Sequence, residues 1–523
     1  AVESQSGSTG RISEGNNRID GGGTVNVTAG TYTPADVTVQ ENTVLESGAD
    51  VSVSNTLTLS DNTFNVTNGT LTLTSTSETS TAAIAGSGSG SVNGDVTFER
   101  YLDNGDDATH FRFLSSPTAT KIDDEGSGNN VGNLLSNMWT QSQTGQGADV
   151  AVSDPVNSSV YTFDETVNLN GSNLSSAWTE VGLSGNNNSG ELNDLSEISG
   201  QENIDPGRGL LTLLYEDWNP TDGTVDGFPI TLSVTGSVQS EENSGSAITP
   251  PITYNGNDSE SEDGWNLIAN PFMAPIDWDV IANEGLDAVD ATIYVWDAEA
   301  NQFASYTAGG GTGGSGNQGR YIAPFQAFFV KATGNGGGGN GPDIGGIDSD
   351  EKAVAESPEV KETAPSPPTV ALELRAEGDS TGETTAFRFT EEAAPGKDAY
   401  DAYQLKPLAS SYALVASEMA STNALFDHQN RPVPAEVDTI NLALDITVGG
   451  TYTLGIGALE NFPSDWNVLL ENTETGTRYD VDAGETVTFD VTLPESSPKS
   501  ESSSSPVAAM LENGEPTVAT AKS

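Results

Sequence analysis

The chain has 523 residues, with 76 Asp and Glu against 18 Lys and Arg, a net charge of −58 and no cysteine. Clustered cations to bind phosphate are missing, which argues against a nucleic-acid partner, and an anionic membrane surface would repel the chain. Disulfides, thiolate metal sites and thiol catalysis are excluded, and no apolar run approaches the ~18 residues of a membrane span, so no membrane insertion is expected.

A length of this order gives a prior of about three or four domains. Strongly acidic chains are often disordered. This one has 34% hydrophobic residues, 7 Trp and repeated strand-like alternation, so it reads as a folded protein coated with carboxylates. Scarce Lys and abundant Gly, Ser, Thr, Asp and Asn suit concentrated salt, where screening over a few Å removes self-repulsion. The start, Ala1-Val2-Glu3-Ser4, has no basic segment followed by an apolar one. It reads as a mature N-terminus from which a signal peptide has been removed.

Residues 1–20 form a polar N-terminal arm. From 21 to 95, apolar pairs recur two residues apart: Val25/Val27, Val37/Val39, Val51/Val53, Leu57/Leu59, Phe64/Val66 and Leu71/Leu73, with Gly, Asn, Asp and Ser turns between. Leu57, Phe64 and Leu71 are seven apart, and Val51 precedes Leu71 by 20. Such short, uniform strands predict a three-sided β-solenoid-like coil with Leu57, Phe64 and Leu71 pointing inward; an antiparallel meander would give a similar pattern. Gly86–Gly94 is a Gly/Ser hinge.

Residues 96–333 form a second region with long Asn-, Gly- and Ser-rich loops. Its predicted strands include Phe111–Leu114, Val160–Phe163, Leu210–Tyr215, Ile230–Val234, Ile293–Trp296 and Ala327–Val330, which is β-sandwich composition. Trp278–Glu284 is one of the few pieces that could be helical. Residues 334–368 are a Gly/Pro-rich linker. Residues 369–493, opening on the alternation Val370-Ala371-Leu372-Glu373-Leu374, have the size of one C-terminal β-sandwich. Residues 494–523 are a Ser/Pro-rich tail. The fold class is all-β, a solenoid-like region followed by sandwich domains.

Site chemistry is sparse. His110 and His428 are the only histidines, and a lone His is usually a packing or surface residue. No HExxH, Walker loop or nucleophile elbow occurs. Gly311-Thr312-Gly313-Gly314-Ser315-Gly316 matches GxGxxG in letters. That motif has meaning only between a strand and a helix, and strand-like Tyr321–Val330 follows here. No catalytic residue and no organic cofactor is assigned. Calcium is the one ion the acidic loops suggest: Asp103, Asp106 and Asp107 cluster in one, Asp343, Asp348 and Asp350 in another. Carboxylate oxygens suit a hard cation, although neither cluster has EF-hand spacing. Trp265, Trp278 and Trp296 could form a platform for surface glycans, but their apolar strand neighbours favour core packing.

Several segments carry a resemblance. Gly264-Trp265-Asn266-Leu267-Ile268-Ala269-Asn270-Pro271 with Pro275-Ile276-Asp277-Trp278, then Ile293–Asp297 and Ile322–Val330, look like segments of large Bacteroidota-type surface proteins. Phe98–Leu102 with Phe113–Pro117 fits the same architecture. Phe462–Val468 with Glu474–Thr477 resembles a module that often precedes a C-terminal sorting domain. The resemblance implies export by the type IX secretion system and an extracellular or outer-surface location. No sorting domain follows Leu493, which implies processing at the tail or a variant class.

These readings favour a non-enzymatic structural surface protein that self-associates into a filament or sheath, its partners being copies of itself. The alternatives are a monomeric adhesin or carbohydrate-binding protein and an enzyme of unrecognised type. Assembly is expected to use backbone pairing by an extended segment. Val507, Met510 and Leu511, in the tail's apolar run, are the first choice as donor, and the arm 1–20 the second. The charge makes one prediction directly: the thermal midpoint should fall as salt is lowered from molar to tens of millimolar, and a flat profile would contradict salt adaptation.

Overall fold

The fold is given by a computed structural model. It describes residues 9–10, 17–19, 25–59, 61–85, 90–103, 110–119, 134, 160–167, 177–180, 182–184, 191–193, 206–214, 218–219, 224–225, 229–239, 247–256, 262–298, 302–309, 311–313, 319–337, 341–353, 367–379, 382–391, 393–398, 400–408, 411–419, 421–435, 438–473, 475–481 and 486–493. Strands dominate throughout, and the fold is all-β.

Three parallel sheets take up the first hundred residues. One contains Asn17–Ile19, Asp36–Val39, Thr56–Thr58 and Ala83–Ala85; the next Thr9–Gly10, Val25–Val27, Thr43–Leu45, Thr63–Asn65 and Ser91–Asn93; the third Gly30–Tyr32, Ala49–Val53, Thr70–Leu73 and Asp95–Leu102. The chain visits the three in rotation, so each strand pairs in parallel with its counterpart one turn later. Val37 lies beside Leu57 and Val51 beside Leu71, a repeat of 20 residues. A small hairpin, Ser75–Ser77 with Ser80–Thr81, lengthens the next turn, and Leu57 meets Ile84.

This winding explains the sequence pattern. Side chains alternate between faces along a strand, so the apolar member of each pair points into the coil and Thr, Ser or Asn points out. Leu57, Phe64 and Leu71 come from three different sheets, and each is at most 1% exposed. Each such burial contributes about 1.5–3 kcal/mol. The coil's far end is covered by later parts of the chain. All eight residues of Asp95–Leu102 pair antiparallel with Ile230–Ser237, and the Ile84 N–H donates to the Met273 carbonyl at 2.8 Å.

The second region contains a four-stranded antiparallel sheet (His110–Leu114, Leu210–Leu214, Val160–Phe163, Trp178–Glu180) and a five-stranded one (Trp265–Ala269, Ala327–Ala332, Val289–Asp297, Gln302–Thr307, Gly311–Gly313). They share one aromatic core. The Phe329 ring sits edge-on to Phe113 (5.5 Å), Phe163 (4.9 Å) and Trp178 (5.9 Å). The opposite face of the five-stranded sheet, through Ile268, Ile293, Phe328 and Val330, packs on the helix Trp278–Gly285 by Trp278 and Ile281. Asp277 caps that helix, accepting the Asp279 N–H at 3.1 Å, and Arg320 pairs with Asp277 at 2.8 Å.

Two features differ from the sequence reading. Part of the expected linker is built into the fold: Ile344 and Ile347 are fully buried, and residues 343, 347 and 352 bridge to Asp287, Ile248 and Ile276. The described residues 341–353 form a packed segment, where composition alone suggested a free spacer. The C-terminal region is one eight-stranded sheet with an added hairpin, Leu469–Asn472 and Thr477–Asp480, in place of two stacked sheets. Its Tyr403 and Phe426 join the aromatic core of the five-stranded sheet. Its other apolar side chains form a separate core that Phe462 and Trp466 partly cover.

Because Phe64 is buried among neighbouring turns, Phe64→Ala should lower the stability of the coil by about 3–5 kcal/mol. Urea unfolding of the variant in the same salt would show this. An unchanged midpoint would contradict the inward packing.

Candidate functional site

The residues singled out by sequence fall in different places. Asp343 and Asp287 exchange backbone hydrogen bonds at 2.9 and 3.0 Å, and Asp343 Oδ1 accepts the Gly345 N–H. Asp348 caps a short 3-10 turn, its Oδ1 accepting the Asp350 N–H at 2.8 Å, while its own N–H donates to Glu351 Oε2. The Asp343 and Asp348 carboxylates each hold a local turn. Asp343, Asp348 and Asp350, the residues considered for calcium, are not gathered into one group, and among the described residues no group of three or more His, Cys, Asp or Glu could hold a metal ion. Asp103 lies exposed at a strand end, its N–H donating to Glu78 Oε1 and its carbonyl accepting from Arg112. Asp106 and Asp107 lie outside the described residues, as do Val507, Met510 and Leu511.

Trp265, Trp278 and Trp296 are all interior, so the glycan-platform alternative loses its candidates. Gly311–Gly313 is an edge strand antiparallel to Ser305–Thr307, a context in which GxGxxG has no phosphate-binding meaning. The Gly264–Pro271 motif is structural. A Cβ on Gly264 would fall 2.0 Å from the Ala332 carbonyl oxygen, and its φ of +80° favours glycine. Asn266 accepts the Thr253 N–H and donates to the Thr253 and Gly264 carbonyls; buried Asn270 donates to the Ala274 and Ile322 carbonyls. Asn266 reaches out from within the strand to a neighbouring segment, while Asn270, just past the strand's end, holds the chain as it turns away.

The densest polar cluster joins the five-stranded sheet to the C-terminal sheet. Ser305 Oγ donates to Asp427 Oδ2 at 2.6 Å, and the Tyr403 N–H donates to Tyr294 Oη at 2.7 Å. Lys397 pairs with Asp290 at 3.0 Å, and Arg388 donates to the Gly309 carbonyl at 3.3 Å. Lys331, 2% exposed, donates to the Asp263 carbonyl and holds its ammonium over the Trp265 and Tyr403 rings at 4.9 and 5.2 Å. Such a buried cation–π pair is attractive because the ring faces are negative. Asp401 accepts the N–H groups of Asn430 and Asp398 at 2.7 and 2.9 Å, and burial still pushes it up to about 7.

Asp427 and His428 lie side by side in this seam and titrate in opposite senses. Burial pushes the Asp427 carboxyl up to about 7, with the Ser305 hydroxyl opposing. Burial lowers His428 to about 4, helped by the Arg388 guanidinium. Both His428 ring nitrogens and Asp427 Oδ1 are buried without a hydrogen-bond partner. Burial thus disfavours the charged form of both groups, so Asp427 keeps its proton to higher pH than a free carboxyl and His428 loses its proton at lower pH than a free imidazole. Sequence reasoning passed over this pair because Ser305 and Arg388 come from distant strands.

Strand edges are the other feature bearing on function. The Trp265–Ala269 edge is covered: Gly209 donates to the Leu267 carbonyl and Ala269 to that of Gly207. Two long edges of the C-terminal sheet stay open among the described residues. Asn441–Ile446 pairs only with Ala413–Met419, and Val487–Val491 only with Gly450–Leu454.

No protein-family model, no curated protein and no solved structure matches this chain.

The seam makes a pH prediction. For Asp427, raised from 3.8, stability is full below about pH 4 and is lost as pH rises through 7; for His428, lowered from 6.5, it is full above 6.5 and is lost as pH falls towards 4. Asp427→Asn removes the first effect alone. Its thermal midpoint relative to the natural chain should rise between pH 4 and 8, by an amount reflecting on the order of 4 kcal/mol. A pH-independent difference would show that Asp427 ionises freely in the folded protein.

Proposed function

We propose that this chain is a non-enzymatic, extracellular structural protein of the cell surface that self-associates, building a filament or sheath. The observation behind this reading is the pair of strands at the two ends of the C-terminal sheet, Asn441–Ile446 and Val487–Val491, each paired on one side only among the described residues. An exposed row of unpaired N–H and C=O groups is a template for another strand. The −58 charge fits the same reading, since copies repel in dilute salt and approach when salt screens them. Outer-surface display after type IX export belongs to the proposal through the resemblance of the Gly264–Trp278 and Phe462–Val468 stretches. The glycan-binding adhesin has no comparable observation behind it.

Sedimentation and negative-stain microscopy of the purified chain in molar salt test this. Assemblies should grow with protein concentration and shrink as salt is lowered. A protein that stays monomeric in molar salt at every concentration would contradict the proposal.

A further inference from the structure

We propose that the strand Val487–Val491 pairs with the same strand of a second copy, antiparallel and two-fold symmetric about Phe489. The inference rests on the self-association reading and assigns it a surface.

Val487, Phe489 and Val491 are half-buried against the C-terminal core, with Phe489 stacked on Tyr452 at 6.2 Å; Thr488 and Asp490 are exposed on the outer face. The strand pairs on one side only among the described residues. It carries no lysine, proline or bulge, the usual protections of an edge.

Its sequence is self-complementary. With Phe489 opposite the partner's Phe489, Val487 lies opposite the partner's Val491, and Thr488 opposite the partner's Asp490. Apolar side chains then meet on the core face and extend a row that is only half covered. On the outer face a hydroxyl meets a carboxylate, an arrangement the chain already uses: Thr451 lies opposite Asp490 and donates to its Oδ1 at 2.8 Å. A register centred on Asp490 would set carboxylate against carboxylate, and a one-residue slip would turn the apolar row outward. The Phe489-centred register uses all five residues and avoids both faults. A two-fold contact of this kind closes on itself, because both copies offer the same patch, so it makes a dimer, the unit from which a filament or sheath would grow through a second, separate contact. The other open edge is less free to pair, since its Asp445 is held by Lys406 at 3.0 Å and by Tyr412 at 3.3 Å.

The test is sedimentation of the full chain and two variants in salt that keeps them folded. Thr488→Asp faces the partner's Asp490 twice per contact and should raise the dissociation constant tenfold or more, an effect that shrinks as salt rises. Thr488→Lys faces the same carboxylate and should bind as tightly as the natural chain or more so. As a readout independent of those variants, Thr488→Cys mixed with Asp490→Cys should oxidise to a cross-linked dimer faster than either alone, in a chain with no other cysteine. If the natural chain self-associates but both charge variants behave alike, or the mixed cysteines show no preference, this surface is wrong and the broader proposal stands. A natural chain that never self-associates overturns both.

Discussion

Each strand presents two rows of backbone N–H and C=O groups, and in this chain little other than neighbouring strands is available to satisfy them. There is no disulfide, and the described part has one eight-residue helix. The consequences run through the molecule. The coil repeats its strands in register so that each turn completes the one before. Its last turn would leave an open row, and an eight-residue antiparallel strand from much later in the sequence closes it. The Asn266 side chain ties the strand Trp265–Ala269 to the Thr253 backbone, and just past the strand's end Asn270 donates to the Ala274 and Ile322 carbonyls. Among the described residues the same requirement is unmet on the outer sides of Asn441–Ile446 and Val487–Val491, the edges on which the functional reading is built.

Aromatic packing joins the units that pairing builds. Phe329 touches rings from both sheets of the second region, and Trp265 passes the contact to Tyr294 of its own sheet (4.9 Å) and to Tyr403 of the C-terminal sheet (6.3 Å). The polar seam lies beside this layer. Its ion pairs are partly desolvated, so they give orientation more than net stability. Burial works against the charged forms of Asp427 and His428, which lie where water does not reach. The C-terminal sheet is thereby fixed against its neighbour, and its open edges are held in one direction.

Local pattern carried much of the fold. The period of two in Val37-Thr38-Val39 and the twenty-residue offset of Val51 and Leu71 are properties of nearby residues, and the strands pair at that offset. The apolar neighbours of Trp265, Trp278 and Trp296 likewise pointed to the interior. What stayed hidden depends on partners far off in the sequence. Ile344 and Ile347 sit among glycines that read as a spacer, and their burial comes from Ile248, Asp287 and other residues well upstream. Asp348 and Asp343 were visible as carboxylates, but whether they turn towards a common point or towards their own backbone is set by loop geometry. The open edges were equally hidden, because a strand's neighbours cannot be counted from its own residues.

The central claim is that the Val487–Val491 edge is paired between copies. Amide hydrogen exchange in molar salt, at low and high protein concentration, tests it directly. The account predicts that exchange across 487–491 slows as concentration rises, while the coil strand Asp36–Val39, already paired on both sides, exchanges at the same rate throughout. Exchange across 487–491 that is independent of concentration, in a sample shown to be assembled, would contradict it.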